Sequence, residues 1–330
     1  MKLTVIGAGS FGSALTELAT RCGHEVLLWA HDPGVAEAIA ETRSNPYYLP
    51  AAEFGPLVQV TNSLSEAGRF SDTILMVTPS HHYRTVLSEL KESMSGDVSV
   101  ISATKGIENE TLDRVSQITA DVLGDRLRDF GCLSGPTFAL EVSRGDPSAA
   151  VIASENPEFA TKVQEAFSCR SFRAYRTEDV VGVELAGSLK NVIAIAAGVV
   201  EGIGLGSNTT AALITRGLHE IRKLGHALGG KHETFAGLAG MGDLVLTCTG
   251  SLSRNRSVGI ELGHGKNIEE ILAETRRVAE GVRTCRSAKE LAERAGIEMP
   301  IVAEMYRVLY ETESPRNAIQ RLMSRALKPE

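Results

Sequence analysis

The sequence predicts a doubly wound α/β sheet followed by an all-helical domain. Three observations carry that reading. A short β-forming run, Leu3-Thr4-Val5-Ile6, leads through a glycine-rich turn into a helix with a 3.6-residue apolar period. Strand-like and helix-like segments then alternate with short links as far as residue 178. From Asp179 onward no strand pattern recurs and helical stretches take over. The predicted domains are therefore 1–178 and 179–330, and 330 residues suffice for two cores.

The turn reads Gly7-Ala8-Gly9-Ser10-Phe11-Gly12. Gly7 makes the turn, Gly9 lets the backbone approach a pyrophosphate, and Gly12 lets the helix pack close to the sheet. Strand, turn and helix in that order are what a dinucleotide fingerprint requires, and the open N–H groups of the helix start face the phosphates. The first domain is thus a Rossmann-type dinucleotide-binding unit. Its second strand, Glu25-Val26-Leu27-Leu28-Trp29-Ala30, bears on cofactor choice. An NAD site places a carboxylate at this strand end, on the ribose 2′-hydroxyl. Here the natural strand-end residue is Ala30. His31 offers a donor to a 2′-phosphate, and Asp32 lies two residues on. NADPH is expected to be modestly preferred, with NADH still used.

The remaining elements follow in order. Helix 35–42 precedes a loop over 43–54 that holds Pro46, Pro50 and two tyrosines. Strand 58–60, helical turn 65–70, strand 72–77, helix 83–91, strand 98–103 and helix 112–123 come next. A strand and turn around Cys132-Leu133-Ser134-Gly135-Pro136-Thr137 lead to a new start at Phe138-Ala139, then strand 149–153, helix 158–166 and strand 172–175. Ligands of an open parallel sheet bind at the carboxyl ends of its strands. Lys105 stands at such an end, where a cation meets an anionic substrate or the cofactor. His81 and His82 are adjacent and do not share a helix face, so no metal pair is expected there.

In the second domain, 180–202 is apolar nearly all round, as a central helix should be. Glu184, Lys190 and Asn191 stand inside it. An ammonium in such surroundings needs a partner, and a lysine so placed is suited to proton transfer. A loop over 202–208 precedes a helix over 209–228 with Asn208 as its cap. Ala239-Gly240-Met241-Gly242-Asp243 and the run 244–249 come before Ser253-Arg254-Asn255, which opens a helix. An arginine fork beside free N–H groups is a phosphate site. Helices 258–262, 268–275, 288–295, 301–309 and 315–325 complete the chain, with Glu280-Gly281 between two of them.

Composition narrows the function classes. The formal net charge is -7, with no basic block or tail, so no nucleic-acid partner is expected. The five cysteines are scattered without a C-x-x-C, as in reduced thiols of a cytoplasmic protein. No Cys/His cluster has metal-ligand spacing. The apolar run 192–200 is too short to span a membrane.

On these motifs the sequence resembles bacterial NAD(P)-dependent glycerol-3-phosphate dehydrogenases. The matching runs are Val5-Ile6-Gly7-Ala8-Gly9-Ser10-Phe11-Gly12, Ala103-Thr104-Lys105-Gly106, Ser134-Gly135-Pro136-Thr137-Phe138-Ala139, Leu189-Lys190-Asn191-Val192-Ile193-Ala194, Ala239-Gly240-Met241-Gly242-Asp243-Leu244 and Ser253-Arg254-Asn255. They run through both halves in order. The resemblance implies interconversion of dihydroxyacetone phosphate and sn-glycerol 3-phosphate, feeding glycerophospholipid synthesis, by a homodimer. It implies cofactor contacts from Gly7, Gly9, Ser10, Phe11, Gly12, His31, Lys105, Ala139, Arg254, Val278 and Glu280. Lys105, Gly135, Thr137, Lys190, Asn191, Asp243, Ser253, Arg254 and Asn255 would line the substrate, with Lys190 and Asp243 catalytic. Two departures stand out. Leu140 replaces a lysine common in relatives, and His31 replaces an arginine frequent at that position.

Overall fold

The computed structural model describes residues 1–274, 279–327 and 329, the side chain of Glu274 excepted. Its strands are β1 (Lys2–Ile6), β2 (Glu25–Trp29), β3 (Val58–Thr61), β4 (Thr73–Met76), β5 (Val98–Ser102), β6 (Leu127–Ser134), β7 (Ser148–Ala153) and β8 (Phe172–Thr177). They form one sheet in the order β3-β2-β1-β4-β5-β6-β7-β8. All neighbours are parallel except the β6–β7 pair. Strand order reverses beside β1, which makes the carboxyl ends of β1 and β4 a topological switch point.

Helices α1 (Ser10–Arg21), α2 (Pro33–Thr42), α3 (Leu64–Phe70), α4 (Ser80–Lys91), α5 (Val115–Leu123), α6 (Ala139–Arg144) and α7 (Pro157–Phe167) link the strands. Side chains alternate along each strand, so the sheet has two cores. Leu3 and Val5 of β1 pack with Leu15, Ile39 and Phe167 from α1, α2 and α7. Ile6 packs with Tyr83, Leu87 and Ile118 from α4 and α5. With both faces covered, β4 is buried along its whole length, as central parallel strands are.

The helical part comprises α8 (Val180–Gly202), α9 (Ser207–Ala227), α10 (His232–Ala236), α11 (Asp243–Thr249), α12 (Arg254–Gly263), α13 (Ile268–Glu274), α14 (Glu280–Arg294), α15 (Pro300–Tyr310) and α16 (Pro315–Met323). Two compact units emerge: Met1–Lys105 with Asp113–Glu184, and Gly106–Leu112 with Leu185–Glu330. The division between these units falls inside α8. Glu184 explains why: its carboxylate accepts from Arg114 Nη1 (2.5 Å), Ser116 N (2.7 Å) and Ser116 Oγ (2.7 Å), all in the first unit. Ser287 Oγ in turn donates to the Ile107 carbonyl (3.2 Å) and holds the short 106–112 segment to the second unit.

Helix α8 is the axis of the helical part. Asp179 starts it by accepting from Gly182 N (2.9 Å), and every residue over 182–200 is buried. Its 23 residues are the 180–202 stretch read from the sequence, and length and composition alone would let it cross a membrane. Its most apolar window is 94% buried inside the protein, so it is a core helix. It meets α12 backbone to backbone. A Cβ at Gly198 would lie 2.0 Å from Arg256 O, and one at Gly259 would lie 1.9 Å from Ile195 O.

Of the boundaries that differ from the sequence reading, three are instructive. Helix α5 begins at Val115, because Leu112 takes φ +66° and cannot be helical. Helix α9 begins at Ser207 behind Gly206, which leaves Asn208 inside the first turn and not at the cap. Helix α14 begins at Glu280, so Glu280-Gly281 opens a helix instead of separating two.

Glu220 of α9 is buried and accepts from Ile301 N (2.8 Å) and Val302 N (3.3 Å) at the start of α15. Burial pushes its pKa up from 4.5 to about 7, against the pull of those N–H groups. A carboxyl raised in the folded state contributes stability that is complete below its unfolded value and is lost as pH rises through its folded value. We expect this contribution, on the order of 3 kcal/mol at most, to disappear between pH 4.5 and about 7. Glu220→Gln should flatten the dependence of melting temperature on pH across that interval. An unchanged slope in the variant would assign the dependence to another group.

Candidate active site

The glycine turn fits a pyrophosphate. Gly7 has φ +118°, and a Cβ there would lie 2.8 Å from Val77 O. A Cβ at Gly12 would lie 1.8 Å from Gly7 O, so the first turn of α1 can close on the loop only without one. Gly9 is different: a Cβ there meets no atom within 4 Å, which leaves open space in front of the backbone. Gly9 also stands at the start of α1 with no side-chain cap, so the first N–H groups of the helix face that space. The Ser10 hydroxyl donates to Tyr48 O (2.7 Å), which leaves the backbone N–H of Ser10 as its group for an anion.

Asn45 holds this loop, and the sequence reading missed it. It is fully buried, and its Nδ2 donates to Ala8 O and Ser13 Oγ, both at 2.8 Å. The local signal was Asn-Pro with an aromatic three residues on: Asn45 Oδ1 accepts from Tyr48 N (3.1 Å). Only the fold shows that the far end of the amide clamps the glycine turn.

Four predicted residues meet at the ends of β1, β5 and β6. Lys105 Nζ lies 5.8 Å from the centre of the Phe11 ring and donates to Gly135 O (3.4 Å). Thr137 Oγ1 donates to the same carbonyl (3.1 Å). Ala139 is the first residue of α6. His31 is exposed after β2, its ring edge-on to Trp29 at 5.7 Å. Asp32 caps α2 by accepting from Gly34 N (2.8 Å).

In the helical unit, Lys190 is 6% exposed and Asp243 2%. Lys190 Nζ donates to Asp243 Oδ1 (2.5 Å) and to Thr247 Oγ1 (2.8 Å). Thr247 Oγ1 in turn donates to Asp243 O (2.6 Å). The sequence reading gave Thr247 no role at the site, although four residues from Asp243 is one turn of helix. Asp243 opens α11 directly after a π-turn over Leu238–Gly242, in which Gly242 N donates to Gly237 O (3.1 Å). Such turns cluster at functional sites. Burial pushes the neighbouring Cys248 thiol up to about 12, which keeps it neutral beside the pair.

Asn191 and Asn255 form a buried chain. Asn255 Nδ2 donates to Asn191 Oδ1 (3.0 Å), and Asn255 Oδ1 accepts from Gly281 N (3.0 Å). Three helices are thus joined through two amides. Ser253 caps α12 by accepting from Arg256 N (3.2 Å), and Arg254, the first residue of that helix, is exposed. Glu280 opens α14 and is half-buried. Val278 lies outside the described residues.

Family models for the N- and C-terminal parts of NAD-dependent glycerol-3-phosphate dehydrogenase match residues 2–160 and 179–320. The chain belongs to the NAD-dependent glycerol-3-phosphate dehydrogenase family. It is 50% identical over 330 residues to a glycerol-3-phosphate dehydrogenase [NAD(P)+] of Geobacter sp. (strain M21), covering 100% of this chain and 98% of that relative. Its counterpart in Trichlorobacter lovleyi is 51% identical over 331 residues, covering 100% and 99%. Among solved structures, the glycerol-3-phosphate dehydrogenase of Coxiella burnetii aligns with TM-score 0.94 and 36% identity, covering 98% of this chain and 99% of that one. The fold is that of the family throughout, a Rossmann-type sheet followed by helices.

The two glycines predict separable defects. Gly9→Ala should leave the melting temperature nearly unchanged and weaken NADPH binding, because its methyl enters only open space. Gly12→Ala should lower both, because its methyl collides with the Gly7 carbonyl. Thermal unfolding and a fluorescence titration of NADPH measure the two effects. Equal losses of stability in both variants would contradict the assignment.

Proposed function

We infer that Lys190 is the proton-transfer group with which this NAD(P)-dependent oxidoreductase interconverts dihydroxyacetone phosphate and sn-glycerol 3-phosphate. The observation that carries this is the buried Lys190–Asp243–Thr247 group in a chain of this family. The nicotinamide cofactor, when bound, supplies the hydride to the ketone carbon. Charge then develops on the ketone oxygen, and a cation with a proton to give is what that oxygen requires. Lys190 donates that proton, and takes it back in the reverse direction. Asp243 holds the ammonium in an otherwise apolar helix, and Thr247 fixes its direction. Lys190 supplies both charge and proton, so this reading calls for no metal.

Arg254 and the α12 start bracketed by Ser253 and Asn255 grip the substrate phosphate by a fork and N–H groups. Asn191, Lys105, Gly135 and Thr137 orient the carbonyl end. Gly7, Gly9, Ser10, Phe11, Gly12, His31, Ala139, Val278 and Glu280, with Lys105 and Arg254, hold the cofactor. The product supplies glycerophospholipid synthesis. The five free thiols support a cytoplasmic setting, and the working form in this reading is a homodimer.

NADPH is the preferred cofactor, modestly. Asp32 is engaged as the α2 cap, which draws the nearest carboxylate away from a ribose 2′-hydroxyl, and the exposed His31 offers a donor to a 2′-phosphate. His31→Arg should raise the ratio of kcat/KM for NADPH over NADH. A wild-type ratio favouring NADH, or one indifferent to His31→Arg, would remove His31 from this role.

Lys190→Ala should lower kcat for dihydroxyacetone phosphate by at least ~10²-fold, the low end for a positioned proton-transfer group. NADPH affinity should barely change, which shows in the same variant that the fold survives. Near-normal kcat would sink the assignment.

A further inference from the structure

From the sequence, Cys22 and Cys169 are two of five scattered thiols, yet the fold sets them side by side. Cys22 ends α1. Cys169 opens the tight turn between α7 and β8, where its N–H donates to Phe172 O (2.9 Å) and Phe172 N–H returns to Cys169 O (3.2 Å). The two segments are tied on either side of the pair. Arg21 Nη1 donates to Ser171 Oγ (3.4 Å), and His24 Nε2 pairs with Ala166 O (2.8 Å). Both cysteines pack against the same core cluster. Neither is fully buried, and Cys169 lines a surface cavity of about 720 Å³ that a small molecule can enter.

Their surroundings differ in kind. Around Cys169, burial opposes charge. The N–H and hydroxyl of Ser171, the N–H of Phe172 and the Cys22 thiol outweigh it and hold the Cys169 thiol below its ordinary range. Cys22 is pushed up to about 12, first by burial and then by Cys169 beside it. A thiol held below its ordinary range beside one held above it matches the division of labour of an attacking and a resolving cysteine. Cys132, Cys248 and Cys285 are buried, and burial raises all three thiols.

We propose that Cys169 and Cys22 are a redox-active pair, in which Cys169 reacts with hydroperoxides and Cys22 closes the product to an intramolecular disulfide. The Cys169 sulfur attacks the distal peroxide oxygen. The O–O bond breaks, the alkoxide or hydroxide leaves with a proton, and Cys169 becomes a sulfenic acid. The Cys22 sulfur then attacks Cys169, the S–O bond breaks, and water leaves with the Cys22 proton. Two thiols are oxidised by two electrons in all, and one peroxide is reduced.

The test treats the full chain with stoichiometric hydrogen peroxide. Wild type should lose two of its five thiols, restored by dithiothreitol, and a non-reducing peptide map should link the Cys22 and Cys169 peptides. Cys169→Ser should lose thiols at least ~10-fold more slowly. Cys22→Ser should still react, since the Ser171 and Phe172 donors to Cys169 remain, but should accumulate a dimedone-reactive sulfenic acid at Cys169. Linkage between chains, or equal rates in wild type and Cys169→Ser, would overturn the proposal. The wild-type map stands even if a serine variant folds poorly.

Discussion

A single ammonium group inside an apolar helix constrains the helical half of this protein. Lys190 sits in a stretch of α8 that is buried from residue 182 to 200. Leaving such a charge without a partner costs on the order of 3–5 kcal/mol. Asp243 meets it at 2.5 Å, and Thr247 adds a second acceptor. That need explains the local oddities nearby. The π-turn before Asp243 sets where α11 begins, and Thr247 falls one helical turn later on the same face. Stability alone does not require the pair, because well-packed apolar residues would serve it as well.

The asparagine chain answers a second requirement of the same core. Helices α8 and α12 approach until glycines face backbone, and at that distance no long side chain fits between them. Asn191 and Asn255 mark the end of this contact and satisfy one another, with Gly281 N closing the chain. A Cβ at Gly281 would lie 2.6 Å from Asn191 O. Small residues thus set the separation, and two amides set the register of three helices. In the sheet unit Asn45 plays the corresponding part, since a glycine loop left to itself has no preferred shape.

Much of this architecture is legible in the residues. The glycine turn that joins β1 to α1 follows from the order of strand, Gly7-Ala8-Gly9-Ser10-Phe11-Gly12 and helix. Alternation of short elements identifies the doubly wound sheet, and the run around Lys190 identifies a core helix. Helix starts are less legible. Asn208 is a good cap by type, yet α9 starts one residue earlier behind Gly206. Glu280-Gly281 looks like a break, yet the glycine is there because α14 passes against α8. In each case contact across the fold outweighs local preference.

The sequence by itself determined the class of the fold, the glycine turn and the residue types able to do the chemistry, because these depend on neighbours within a few positions. It could also single out Lys190, since a charge amid apolar residues is anomalous wherever the helix goes. Only the tertiary structure decided which partner meets that charge. Residues 190 and 243 are 53 apart in the chain, and no local periodicity joins them. The same holds for Asn45 beneath the glycine loop, for the reach of Glu184 back to Arg114, and for two cysteines brought together from opposite ends of the sheet unit. Pairings of that kind are set by packing, and packing is a property of the whole chain.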